Sequence, residues 1–113
     1  MTRGVLIVED ESMVAMLLED LLADLGCQVV GAAATVAEAM RLANADGVDF
    51  ALLDVNLGGD ARSFAVADRL AARSVPFAFV TGYGVEGVRP DLRSAPVISK
   101  PVNIAALARA LGL

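Results

Sequence analysis

The sequence predicts an α/β domain with a five-stranded doubly wound parallel sheet, and three observations carry that expectation. Short apolar, β-branched runs alternate with longer stretches of helical periodicity, which is the pattern of βαβ units. The runs are apolar throughout, as strands covered on both faces are, and not alternately polar. At 113 residues, the chain fits one domain with one core.

The elements follow in order. Val5-Leu6-Ile7-Val8 reads as a first strand ended by Glu9-Asp10-Glu11. Ser12 is expected to cap a helix whose apolar face is Val14, Leu17, Leu18, Leu21, Leu22 and Leu25, with Gly26 as its stop. Val29–Ala33 reads as the second strand, and Thr35 caps a helix through Val36, Ala39, Met40 and Ala43 that ends near Asn44. Phe50-Ala51-Leu52-Leu53 forms the third strand and runs into Asp54-Val55-Asn56. Gly58-Gly59 makes a turn, after which Asp60 is expected to cap a helix through Phe64, Ala67, Leu70 and Ala71. Pro76–Thr81 is the fourth strand and Val97-Ile98 the fifth. Lys100-Pro101 and a last helix through Ile104, Leu107, Ala108 and Leu111 close the chain. Gly82, Gly84, Gly87 and Pro90 interrupt the segment before Pro96, so a fourth helix there should be short, distorted or replaced by loop.

Composition removes several classes of function. Nine basic against fourteen acidic residues leave a formal charge of −5, which argues against nucleic-acid binding, because phosphate neutralisation needs a basic surface. Hydrophobic residues at 57% and charged residues at 20% are too apolar a mixture for disorder. Charge or glycine breaks each apolar stretch before it could span a membrane. The run Val5–Val8 is too short for the central region of a signal peptide, so the expected location is cytoplasmic. Cys27 is the single cysteine and reads as a small buried hydrophobe. The chain has no histidine, which excludes Ser-His-Asp and Cys-His catalysis, histidine-ligated zinc and a phosphohistidine carrier.

What remains is a set of groups at strand ends. In an open α/β sheet, ligands bind beyond the carboxyl ends of the strands. Here those ends carry Glu9-Asp10, Asp54, Thr81 and Lys100. Carboxylates crowded there repel, and protonation, a basic neighbour or a divalent cation can relieve them. The donors are all hard oxygens, which points to Mg²⁺. Asp54 is then placed to act as a nucleophile toward a phosphoryl group, with Lys100 and Thr81 meeting its oxygens.

Val5–Glu11, Leu52-Leu53-Asp54-Val55-Asn56, Thr81-Gly82 and Lys100-Pro101, in this order on successive strands, resemble the receiver domain of two-component response regulators. The resemblance covers nearly the whole chain, 1–113, as one receiver domain. Pro76-Phe77-Ala78-Phe79-Val80-Thr81-Gly82-Tyr83 is similar to the subgroup with a Phe-x-Thr-Gly-Tyr fourth strand, often stand-alone signalling proteins. The resemblance implies a flavodoxin-like strand order 2-1-3-4-5 and a non-enzymatic role. Asp54 would accept a phosphoryl group from a sensor histidine kinase. Glu9, Asp10, Asp54 and the Asn56 carbonyl would hold Mg²⁺, and Thr81 and Lys100 would contact the phosphoryl group. A cis Lys100–Pro101 bond is implied as well, with signalling through a downstream phosphotransferase or regulator protein.

Three features depart from the family pattern. Gly58 stands where receivers commonly have Pro, Val97 stands where they commonly have an aromatic switch residue, and glycines weaken the fourth helix. Tyr83, the only tyrosine, is the candidate to replace that switch or to shield the acyl phosphate. Two other functions compete: a docking module or phosphate sink that works without a phosphorylation switch, and an aspartate-nucleophile phosphohydrolase. The second normally carries its nucleophile on the first strand and not the third.

Overall fold

The computed structural model describes residues 2–113. Nine regular elements follow in chain order: β1 (Gly4–Val8), α1 (Ser12–Asp24), β2 (Gln28–Ala33), α2 (Val36–Ala43), β3 (Phe50–Asp54), α3 (Phe64–Ala72), β4 (Phe77–Thr81), β5 (Val97–Ser99) and α4 (Ile104–Ala110). The strands form one sheet in the order β2-β1-β3-β4-β5, and every pairing is parallel. This is the doubly wound arrangement that the alternating pattern predicts.

The all-apolar strands owe their composition to burial on both faces. Val5, Ile7, Leu52 and Val80 point to one side, where they pack with Leu18 and Leu22 of α1 and Leu107 of α4. Leu6, Val8, Leu53 and Phe79 point to the other, against Ala39 and Ala43 of α2 and Val66 and Leu70 of α3. Alanines at positions 39, 43 and 67 leave α2 and α3 room to lie close to the sheet. The edge strand β2 alternates instead between exposed and partly buried residues. Its neighbour β1 begins at Gly4, where a side chain would run into the carbonyl oxygen of Gly47.

Several local expectations need correction. Glu11, not Ser12, is the N-cap of α1, in extended conformation and without a side-chain cap bond; its carbonyl accepts from Ala15 N at 3.0 Å, so the helix starts one residue earlier than a Ser12 cap implies. Asp60 does not cap α3. The Ala61 amide turns back to the Gly58 carbonyl at 3.0 Å, and the chain enters the helix only after Ser63. Leu17 is 42% exposed, because α1 buries a narrower stripe than its leucines suggest. Ala71 and Ile104 are exposed as well, and Pro76 precedes β4. Cys27 is half-buried against the α1/α4 layer, not fully enclosed. Thr35 caps α2 as expected, accepting from Glu38 N at 3.2 Å.

Between β4 and β5 two 3-10 turns, Val85–Gly87 and Pro90–Leu92, stand where a regular helix would complete the last βαβ unit. Val88 and Leu92 anchor this segment in the core. Arg89 ties its outer surface down by a two-pronged bond to Asp68 of α3, at 2.5 and 3.1 Å. No helix among the described residues is long and apolar enough to cross a membrane.

Candidate functional site at the strand ends

Strand register assembles the site. Val8 pairs with Leu53, Asp54 with Val80 and Thr81 with Ser99. The residues at or one step beyond these pairs are Glu9, Asp54, Thr81 and Lys100, so four residues distant in sequence stand together at the carboxyl ends of the strands. The Lys100 amide continues the ladder by donating to the Thr81 carbonyl at 3.0 Å. The Lys100–Pro101 bond is cis.

An open depression of about 890 Å³ lies at these strand ends; its wall includes Asp10, Asp54, Asn56, Tyr83 and Lys100, while Glu9 and Thr81 are buried behind it. Glu9, Asp10 and Asp54 each offer a carboxylate oxygen within 4.8 Å of the others. Lys100 Nζ lies 3.1 Å from Glu9 Oε1 and 3.3 Å from Asp54 Oδ2. Only the Asp54 contact has hydrogen-bond geometry, so buried Glu9 Oε1 has an ionic neighbour but no hydrogen-bond partner. Glu9 Oε2 accepts from the Glu11 amide at 3.2 Å, which fixes the other half of the carboxylate.

Burial of Glu9, together with the adjacent Asp54 carboxylate, pushes its pKa up to about 7; the Glu11 amide and the Lys100 ammonium oppose the shift. For Lys100, burial acts to lower the pKa. The ion pair with Glu9 and the hydrogen bond and charge of Asp54 outweigh it, so the ammonium is held protonated above its ordinary range. One cation thus serves two acids. The surplus negative charge, the all-oxygen donors and the unpartnered Glu9 Oε1 fit a hard divalent cation such as Mg²⁺.

Thr81 is buried at the end of β4, and its Oγ1 accepts from the Tyr83 amide at 3.0 Å. That bond occupies a lone pair of the hydroxyl oxygen and leaves its proton free to be donated to another acceptor. Gly87 lies close by: a Cβ there would stand 4.0 Å from Thr81 Oγ1 and 3.6 Å from Tyr83 Cβ. Tyr83 itself is 76% exposed at the rim. Val97, at the position of the missing aromatic, is half-buried against the α2/α3 layer.

The loop after Asp54 has a shape that the sequence did not convey. Gly58 has φ +93°, closed to proline with its fixed φ near −65°, so the usual proline could not follow this path. Gly58 and Gly59 turn the chain back, Leu57 N donates to Ala61 O at 3.1 Å, and Arg62 pairs with Asn56 in an antiparallel bridge. Arg62 consequently lines the depression, a placement that sequence reasoning missed. The Gly58-Gly59 turn was the available signal, since a reversal there returns a residue beyond it toward Asp54.

Comparison with known proteins agrees with this geometry. The family model of the response regulator receiver domain matches residues 5–112. The phyllosphere-induced regulator PhyR of Methylorubrum extorquens is 38% identical over 106 residues, which cover 89% of this chain and 39% of that protein. The transcriptional regulatory protein PdtaR of Mycobacterium tuberculosis is 35% identical over 115 residues, covering 98% and 56% respectively. The chain thus spans from about two-fifths to just over half of these curated relatives. The solution structure of SdrG from Sphingomonas melonis Fr1 superposes with a TM-score of 0.88 at 44% identity, covering 98% of this chain and 94% of SdrG. Its BeF3-activated conformation gives 0.83, covering 97% and 93%. Receiver domains are signalling domains that bind Mg²⁺ at an acidic pocket and work with histidine kinases and downstream regulators. With the match spanning nearly every element, this chain belongs to the response regulator receiver domain family of two-component systems.

Proposed function

We propose that the chain, over 1–113, is a phosphoacceptor receiver that takes a phosphoryl group from a sensor histidine kinase onto Asp54 and signals through partner proteins. The observation that carries this reading is the Asp54 carboxylate. It is buried at the end of a central strand, 3.3 Å from Lys100 Nζ, and flanked by the oxygens of Glu9 and Asp10.

In the proposed step an Asp54 Oδ attacks phosphorus and forms an acyl phosphate. The bond from phosphorus to the donor's imidazole nitrogen breaks, and that nitrogen leaves with the electron pair. Lys100 meets one phosphoryl oxygen with its ammonium, and the Thr81 hydroxyl donates to another while still accepting from Tyr83 N. Glu9, Asp10, Asp54 and the Asn56 carbonyl would hold Mg²⁺. When bound, the ion supplies positive charge to the phosphoryl oxygens. Charge formerly shared between Lys100 and the acids is then redistributed, and the segment from Thr81 through Gly87 responds because it carries both Thr81 and Tyr83. Tyr83 is assigned the switching or shielding role that Val97 cannot perform, and Pro101 fixes the direction of the residue before it.

Intact-mass measurement tests the reading. Incubation with acetyl phosphate or phosphoramidate and Mg²⁺ should add one phosphoryl group to the wild-type chain and none to Asp54→Ala. A wild-type chain left unmodified by both donors, or an Asp54→Ala chain that is modified, would overturn it.

A further inference from the structure

The depression has two basic walls, and the mechanism above uses only one. Lys100 is committed to Glu9 and Asp54. Arg62 faces the same space from the opposite loop, and among the described residues it has no carboxylate within ion-pair distance. Its Nη1 donates to the carbonyls of Gly59 at 3.1 Å and Ala61 at 3.0 Å. Nε and Nη2 make no bond within the described residues, so most of a five-donor fork is left for a ligand.

Those two carbonyl bonds tether the guanidinium to its own loop, and the loop is fixed in turn. The Asn56–Arg62 bridge, the Leu57–Ala61 bond and the Ser63 amide on the Val55 carbonyl at 3.1 Å lock the loop into a tight return. Arg62 is thereby set beside a residue only two positions after Asp54. Arg89, by contrast, is consumed by Asp68 and Asp91.

We infer that Arg62 receives the phosphoryl group of an incoming donor at the mouth of the depression, and so sets the site's preference for donors of net charge −2 over those whose phosphoryl charge is partly compensated within the donor. The inference rests on the Asp54 reading. An approaching dianion meets Asp10, Glu11 and Asp54, and an unpaired, preorganised guanidinium offsets that repulsion with charge-assisted bonds to two phosphoryl oxygens. Arg62 is a positioning residue. The Asp54 Oδ–P bond forms, and with acetyl phosphate the P–O bond to acetate breaks, acetate leaving with the electron pair; Arg62 takes no part in that exchange.

The test follows the rate of phosphoryl uptake, with Mg²⁺ near neutral pH, as each donor's concentration is varied. Acetyl phosphate presents a dianion, whereas phosphoramidate carries a compensating proton on nitrogen. Arg62→Gln should raise the half-saturating acetyl phosphate concentration about tenfold, the loss expected for charge-assisted hydrogen bonds. The increase for phosphoramidate should be clearly smaller, the maximal rate should stay within about twofold, and Arg62→Lys should recover part of the loss. Equal behaviour of wild type and Arg62→Gln would overturn the inference. So would an equal loss for both donors, or a loss confined to the maximal rate, since either marks a merely structural role. A wild-type chain that takes up no phosphoryl group removes the Asp54 reading and this one together; a modified wild type with an indifferent Arg62→Gln removes this one alone.

Discussion

The site has two walls of different construction. The wall that carries the acids is made by β1 and β3, in which every residue is buried. The wall that carries Thr81 and Tyr83 continues into two 3-10 turns tied to α3 by Arg89, whose guanidinium also lies 5.9 Å from the Phe64 ring centre. Phe64 in turn meets Phe79 of β4 edge-on, with ring centres 6.1 Å apart. The first wall rests on enclosed apolar packing and the second on surface ion pairs over an aromatic cluster. A phosphoacceptor needs this difference: the nucleophile must be fixed before the reaction, and some part of the surface must change after it.

The largest effect should come from the rigid wall. Leu53→Ala removes side-chain volume from a fully buried position beside Asp54 and should cost about 2–5 kcal/mol in urea unfolding. A cost below about 1 kcal/mol would show that β3 is less tightly enclosed than its burial indicates.

Next comes the pH dependence of the metal-free protein. The folded-state pKa of Glu9 is raised, from 4.5 to about 7. The folded protein therefore binds the proton more tightly than the unfolded chain does. The corresponding stability is fully present below about 4.5 and is lost as pH rises through about 7. The loss should be on the order of 1–3 kcal/mol. Glu9→Gln should flatten this part of the profile, and Mg²⁺ should restore wild-type stability at the alkaline end. A wild-type profile that rises across the same range would contradict the assignment.

The smallest effect should come from the pliable wall. Arg89→Gln should leave the midpoint of global unfolding nearly unchanged, because exposed ion pairs contribute little. Amide exchange at Val88 and Leu92 should quicken, since their segment loses its tie to α3. Unchanged exchange would mean that the buried Val88 and Leu92 side chains hold the segment without help from Arg89.

The two walls also differ in how far their sequence can be read. Apolar runs ending in Glu9-Asp10, Asp54, Thr81 and Lys100 give the strands and their tips, because a doubly buried strand tolerates few other residues. Glycines at 82, 84 and 87 signal the irregular crossover correctly. What sequence could not supply is the path of a turn that depends on positive φ angles. Gly58 and Gly59, at +93° and +53°, delay α3 past Asp60 and carry Arg62 back to Asn56. The exposure of Leu17 was likewise hidden, since a leucine-rich helix shows more apolar positions than one contact stripe can bury. Ser12 failed as a cap by a single residue, because the Glu11 carbonyl, not a side chain, begins α1.

The most direct test of the central claim is an experimental structure with Mg²⁺ and beryllofluoride, a stand-in for the phosphoryl group. Beryllium is expected on an Asp54 carboxylate oxygen, the ion against Asp10 and Asp54, and fluorides within hydrogen-bond distance of Thr81 Oγ1 and Lys100 Nζ. Beryllofluoride bound away from Asp54, or bound there with Thr81 and Lys100 turned elsewhere, would contradict it.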